Sequence, residues 1–199
     1  AKVFGYHGGE TSFDLNFVRE LIKKVVSQNK NIYFLFMNIG KFLNHKKVIF
    51  IKGTFNQTRK VKFINTCNAM LHARSLGESF GLSCAEFAIK NKPIFTYGYC
   101  RQRAHFEICK GNIIPYYSYG DLYSKILGFD KDKNFDSKNL KNELSEKNTI
   151  KIFKKIFLNK KQKKPSINII DYIIVSFFSL QRNYFYIRHK IYTNFYKFI

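Results

Sequence analysis

The sequence predicts an α/β fold: a doubly wound, mostly parallel sheet followed by C-terminal helices. Three observations predict it. Short apolar runs alternate with stretches of helical period through residue 129. Two of those runs, Ile32 to Met37 and Val48 to Ile51, are continuously apolar, as strands covered on both faces are. The 199 residues are 45% hydrophobic and 18% aromatic, enough to build a core, which excludes a disordered polar chain.

Taken in order, Lys2 to Tyr6 reads as a strand ending in Gly8-Gly9. Thr11 to Asp14 fits a capping box, with Thr11 as N-cap. The helix it opens carries Leu15, Val18, Ile22 and Val25 along one face. The two apolar strands follow, and Gly53 breaks the second. Asn56 to Thr66 reads as helix, Ala69 to Ala73 as strand, Phe80 to Lys90 as helix and Pro93 to Tyr97 as strand. Gln102 to Cys109 reads as helix, Asn112 to Pro115 as a short strand and Tyr119 to Phe129 as helix. Repeated strand–helix units of this length make a Rossmann-like sheet. Residues 130–164, rich in Lys, Asn, Asp and Glu, form a charged loop or helical connector, with Ile150, Phe153 and Phe157 at helical spacing. Residues 165–199 are aromatic-basic helices, one starting near Pro165 and running through Phe177, another over Arg182 to Phe198.

The formal net charge is +22, from 35 Lys and Arg against 13 Asp and Glu. Abundant Lys, Asn, Ile, Phe and Tyr with no Trp is the bias of an A+T-rich genome, which raises Lys without selection for phosphate. Attraction to an anionic membrane or polymer stays open beside that reading. No apolar run reaches the length of a membrane span. The richest, Ile167 to Leu180, contains Asp171 and reads as a buried helix. Ala1 to Gly5 runs into a glycine-rich loop rather than a secretory leader. Cys67, Cys84, Cys100 and Cys109 lack zinc spacing, and free buried thiols are expected. These features point to a cytoplasmic location, with peripheral membrane association as a further expectation.

The informative stretch is Leu71 to Glu86: a strand end, a loop with Gly77, and a helix starting near Phe80. An open α/β sheet binds ligands there, outside the carboxyl ends of its strands and at helix N-termini. The backbone N–H groups of Phe80, Gly81 and Leu82 lack intrahelical partners and can hold a phosphate. Glu78 sits at the helix mouth, and Glu86 lies two turns inside, about 10 Å along the axis. An inward-facing acid there needs hydrogen-bond donors, which a ribose diol supplies. Spacing alone leaves open that Glu78 caps the helix and Glu86 faces solvent.

Glu78 and Glu86 form an E-x7-E pattern inside Glu-Ser-Phe-Gly-Leu and Ala-Glu-Phe. This resembles the C-terminal, donor-binding half of retaining GT-B glycosyltransferases, the family 4 type in particular. The flanking order is similar too: Phe50 to Gly53 for the strand and turn beneath the nucleotide base, Lys92 to Thr96 for the strand after the motif helix, and Cys109 to Ile114 with Asp121-Leu122 for the next unit. The resemblance covers residues 1–129, as a nucleotide-sugar-binding domain. It implies sugar transfer from a nucleotide diphosphate sugar with retention and no obligatory metal or other cofactor. It assigns Glu78 to the donor sugar and Glu86 to the ribose hydroxyls. The pyrophosphate falls to the amides of Ser79, Phe80, Gly81 and Leu82, and Gly8, Gly9, Lys52 and Gly53 also line the nucleotide. The family's Arg and Lys in the first strand-loop-helix unit are missing from Phe4 to Ser12. Arg74 is the substitute candidate for the leaving diphosphate, with His7 second. The acceptor half, which normally comes first, is also missing, so the chain resembles half an enzyme. Its N-terminal partner would lie in the same or another polypeptide, and its acceptor would be a glycan, lipid or protein.

Other residues read more plainly. His72 suits strand-end packing as well as a site role, and His45, His105 and His189 stand isolated. Arg101 and Arg103 fit either the ligand side of the sheet or a surface helix start. Asn56-Gln57-Thr58 is a glycosylation sequon. The alternative function is a non-catalytic nucleotide-sugar-binding module, or a basic module for a membrane surface or nucleic acid, with nucleic acid the less favoured.

Overall fold

The computed structural model describes residues 1–29, 31–135, 138–158 and 169–195. Its centre is a six-stranded, all-parallel sheet. In chain order the strands are β1 (Lys2–His7), β2 (Ile32–Met37), β3 (Val48–Ile51), β4 (Ala69–His72), β6 (Ile94–Tyr97) and β8 (Ile113–Tyr116). They lie side by side as β3-β2-β1-β4-β6-β8, the doubly wound order with its reversal between β1 and β4. Two short strands, β5 (Gly77–Glu78) and β7 (Gln102–Arg103), pair in parallel outside this sheet.

Helices cover both faces. On one, α1 (Asn16–Gln28) packs against α5 (Tyr119–Leu127). On the other lie α2 (Gln57–Thr66) and α3 (Leu82–Ala88), joined through Phe63 and Phe87. The core between these layers is aromatic: Phe4 touches Phe34, Phe95 and Phe129, and Phe36 stacks on Phe50. The chain continues through α4 (Ala104–Ile108), α6 (Lys138–Glu143), α7 (Glu146–Phe153), a π-helical turn over Lys154–Leu158, and α8 (Ile169–Phe195).

Several expectations need correction. Thr11 does not cap a helix: α1 starts at Asn16, and its N-cap, Leu15, gives no side-chain bond. Asp14 instead accepts from the amide and hydroxyl of Ser75, tying the first loop to the loop after β4. Gln102 and Arg103 form β7 because the Gln102 amide bonds to the Leu76 carbonyl, so α4 begins only at Ala104. The connector carries α6 and α7, anchored to the core by buried Leu140. One helix, α8, replaces the expected pair, since Leu180-Gln181-Arg182 holds no helix breaker. Pro165 and Phe198 lie outside the described residues. The described part of the apolar run is not buried: Ile169, Ile170 and Ile173 are 77%, 61% and 63% exposed, because α1, α2, α3 and α5 already cover the sheet.

Two glycines fix the path into α3. Gly77 (φ +76°) and Gly81 (φ +86°) are left-handed, where other residues lose about 1–2 kcal/mol. A Cβ on Gly81 would also meet the His105 Cβ at 2.9 Å. Gly81→Ala is expected to lower unfolding free energy by about 1–2 kcal/mol, read from a urea titration. An unchanged midpoint would show that this turn relaxes freely.

Candidate functional site

β1 pairs with β2 along its whole length to His7, but with β4 only at Phe4↔Ala69 and Gly5↔Met70. Beyond Gly5 the two central strands part, and a crevice opens at their carboxyl ends. It has a volume of about 960 Å³ and gathers every residue nominated from the sequence: His7, Gly8, Gly9, Lys52, Gly53, Arg74, Glu78, Ser79, Phe80, Gly81, Leu82 and Glu86. A smaller cavity of about 610 Å³ lies between α4 and α8, away from both acids.

Each acid is held by one histidine and one cation. Glu78 Oε1 is 3.2 Å from His72 Nε2, and its Oε2 accepts from Arg74 at 3.0 Å. Glu86 Oε1 accepts from Lys60 Nζ at 2.9 Å, and its Oε2 lies 3.1 Å from His7 Nε2, at ion-pair distance but off hydrogen-bond alignment. Burial raises the pKa of Glu78, but His72 and Arg74 more than offset it, so the net shift is downward. Glu86 is also lowered overall: His7 and Lys60 outweigh its burial. Both are carboxylates at neutral pH.

Behind Glu78 runs a buried polar chain. His72 Nδ1 is 2.8 Å from Thr96 Oγ1, which is 3.0 Å from His105 Nε2. Burial, then the nearby His72, pushes His105 down to about 3, so this ring is neutral. Thr96 Oγ1 thus bridges the two rings, and His72 Nε2 faces Glu78 Oε1. His72 is thus more than a packing residue, and His105 is buried but not isolated.

α3 begins at Leu82, so Glu86 lies one turn inside it, about 6 Å along the axis rather than 10 Å. Its first intrahelical bond is Ala85 N to Gly81 O, so the amides before it have no intrahelical acceptor. Phe55, fully exposed, stands on the cleft wall beside Lys52 and Gly53. Sequence reading missed Lys60, Thr96 and Phe55. Lys60 and Phe55 had a signal: they directly follow the strand and turn matched to the nucleotide base. Thr96 had none, since only the β4–β6 register places it opposite His72.

The remaining candidates lie outside this cleft. Arg103 sits between Phe106 and Phe185, 4.1 and 4.4 Å from the ring centres, and donates to the Gly98 carbonyl. Arg101 lies over Tyr186. Asn56 caps α2 by accepting from the Arg59 amide. The four cysteines are free and buried, and burial pushes Cys67, Cys100 and Cys109 up to about 12, so none is a poised thiolate. Among the described residues, no cluster of three His, Cys, Asp or Glu could hold a metal, and no helix is long and apolar enough to cross a membrane.

No protein-family model matches the chain, and neither does any curated protein sequence. Solved structures do. TarM superposes with a TM-score of 0.60 at 18% identity, over 79% of this chain and 34% of TarM. The C-terminal domain of the glycosyl transferase group 1 family protein LpcC from Francisella tularensis gives 0.50 at 12% identity, over 81% of this chain and 87% of that domain. Anabaena Alr3699/HepE, solved with UDP and glucose, gives 0.48 at 14% identity, over 63% of this chain and 37% of that one. The chain therefore has a glycosyltransferase-like, Rossmann-type fold, and it spans about a third of the length of TarM and HepE.

The relay has a pH signature. The His105 pKa of about 3 lies below its ordinary 6.5, so between these values the unfolded chain binds the extra proton. Stability falls as pH drops through that window, by up to about 1.4 kcal/mol per unit. Glu78 and Glu86 contribute stability that is present above the ordinary 4.5 and lost as pH falls through their lower folded values. Urea midpoints from pH 7 to 4 should therefore fall less steeply in His105→Gln above pH 5, and differ in slope for Glu78→Gln only near and below 4.5. Parallel curves for wild type and His105→Gln would remove His105 from this account.

Proposed function

We propose that the chain is the donor-binding domain of a glycosyltransferase, moving a sugar from a nucleotide diphosphate sugar to a hydroxyl of a glycan, lipid or protein. The observation that carries this reading is the pair of ionised carboxylates, Glu78 at the mouth of α3 and Glu86 one turn inside it. Both face one cleft at the switch point of a parallel sheet.

In this reading the ribose hydroxyls donate to Glu86, which His7 and Lys60 hold in place. A carboxylate has about four acceptor sites, so these two partners leave room for the diol. His7 thus positions the ribose acid rather than meeting the diphosphate. The amides of Ser79 to Leu82 hold the diphosphate, and Arg74, one-third exposed, turns from Glu78 to the leaving oxygens. Phe55 offers a ring for the base to stack on. When the bond from the anomeric carbon to the diphosphate oxygen breaks, the electron pair leaves with the diphosphate. Glu78, anionic and fixed by His72, stabilises the positive charge developing at the sugar. The acceptor hydroxyl oxygen then bonds to the anomeric carbon on the same face while its proton passes to the departing diphosphate oxygen, giving retention without an obligatory metal. The acceptor site belongs to a second half of the enzyme.

The two acids should separate by role. Glu86→Gln is expected to weaken nucleoside and sugar nucleotide alike by about 1–3 kcal/mol, because an amide cannot accept from both hydroxyls as a carboxylate does. Glu78→Gln should leave nucleoside affinity intact and, in the complete enzyme, lower kcat far more than it raises the donor KM. Calorimetry beside a thermal melt measures this. Loss of binding that tracks a collapse in Tm would make the acids structural.

Phe55→Ala should weaken nucleosides by about 1–3 kcal/mol, the size of base–aromatic stacking, while leaving inorganic pyrophosphate unaffected. Equal losses for both would take Phe55 off the base.

A further inference from the structure

α7 and the π-helical turn that continues it form a two-sided rod over residues 146–158. At the helical step, Ile150, Ile152, Phe153, Ile156 and Phe157 share one side. Lys147, Lys151, Lys154 and Lys155 share the other. The wider i→i+5 turn over Lys154–Leu158 advances each residue by less than an α-helix does, which swings Leu158 from the lysine side toward the apolar side. No residue of the rod is buried, and Phe153, Phe157 and Leu158 are 53%, 69% and 62% exposed. Solvent therefore bathes a continuous stripe of aliphatic and aromatic side chains.

Charge identifies the cover. From residue 147 to residue 164 the sequence has eight lysines and no acid. Clusters of four to eight basic residues on an amphipathic helix are the composition that binds anionic lipid, at about 1 kcal/mol per residue near the surface. A nucleic acid would meet the lysines but has no apolar medium for Ile152, Phe153 and Phe157. A lipid surface supplies both: headgroup phosphates for the ammonium groups, and acyl chains for the stripe beneath them. We propose that the rod lies in the plane of an anionic membrane surface, with Phe153 and Phe157 at the headgroup–acyl boundary.

The test uses the 199-residue chain and vesicles of phosphatidylcholine with or without phosphatidylglycerol. The chain has no tryptophan, so Phe157→Trp places a single fluorescent reporter on the stripe. Co-sedimentation should occur with anionic vesicles and not with neutral ones. The emission of the reporter should shift to the blue and be quenched by brominated acyl chains. The triple variant K151Q/K154Q/K155Q should bind about a hundredfold more weakly, since about 1 kcal/mol is lost at each of three lysines. F153S/F157S should also lose binding, and because these side chains are exposed, its thermal melt should match wild type. Equal binding to neutral and anionic vesicles overturns the proposal. So does an unshifted, unquenched reporter, or a F153S/F157S variant that still binds like wild type. Binding to single-stranded RNA as tight as to vesicles, weakened by the lysine variant and untouched by F153S/F157S, assigns the rod to a polyanion instead.

Discussion

The constraint on which this protein depends is the parallel pairing of β1 with two neighbours whose connections leave in opposite directions. β1 is bonded to β2 as far as His7, but to β4 only as far as Gly5, so the sheet splits at its carboxyl edge. The buried rings of Phe4, Phe34 and Phe95, on β1, β2 and β6, pack together below the split. Above it, the loops after β1 and β4 must diverge. The Asp14 bonds to Ser75 bridge the two loops and fix the gap between them. The β5–β7 ribbon then turns Glu78 inward, and left-handed Gly77 and Gly81 let the chain enter α3 against His105.

The same split explains the chemistry of the acids. His7 ends β1 and His72 ends β4, so the two central strands each finish on an imidazole that faces one acid of the α3 segment. Burial alone would push both carboxylates toward the protonated form. Lys60 on α2 and Arg74 after β4 supply the compensating charge from opposite sides of the cleft. The acids differ in what stands behind them. Glu78 rests on a chain through His72 and Thr96 that ends at a buried, neutral His105. Glu86 rests on a ring stacked against Phe87, free of any such chain.

Most of the sheet was legible in the sequence because its strands are short apolar runs bounded by Gly, Asn or Pro, as Ile32 to Met37 and Ile94 to Tyr97 are. The acids were legible because their spacing and their glycine sit in one segment. What escaped was long-range. The Glu78–His72–Thr96–His105 chain spans three segments, and only the register of β4 with β6 assembles it. The Thr11 capping box fitted a local pattern that the Asp14–Ser75 bonds overrode. The β7 strand is two residues long, below the length at which periodicity speaks. The burial of Ile167 to Leu180 was inferred from hydrophobicity alone. An apolar helix is covered only if a face is free to cover it, and here four helices had already taken the sheet.

That last point bears on the charge. Inside the cleft, Lys52, Lys60 and Arg74 stand against Asp14, Glu78 and Glu86, so the site is close to neutral. An excess of +22 is therefore not concentrated where the donor would bind. The eight lysines of residues 147–164 fall in a stretch of sequence without a single acid, and the four described ones, Lys147, Lys151, Lys154 and Lys155, lie outside the cleft with apolar residues on the opposite side of a helix. Genome bias can raise the lysine count everywhere, but it does not sort lysine from isoleucine and phenylalanine by helical face. Sorting of that kind is what an interface between water and an apolar phase selects. The molecule thus separates two electrostatic tasks: a balanced cleft, where geometry decides what binds, and an unbalanced rod, where charge does.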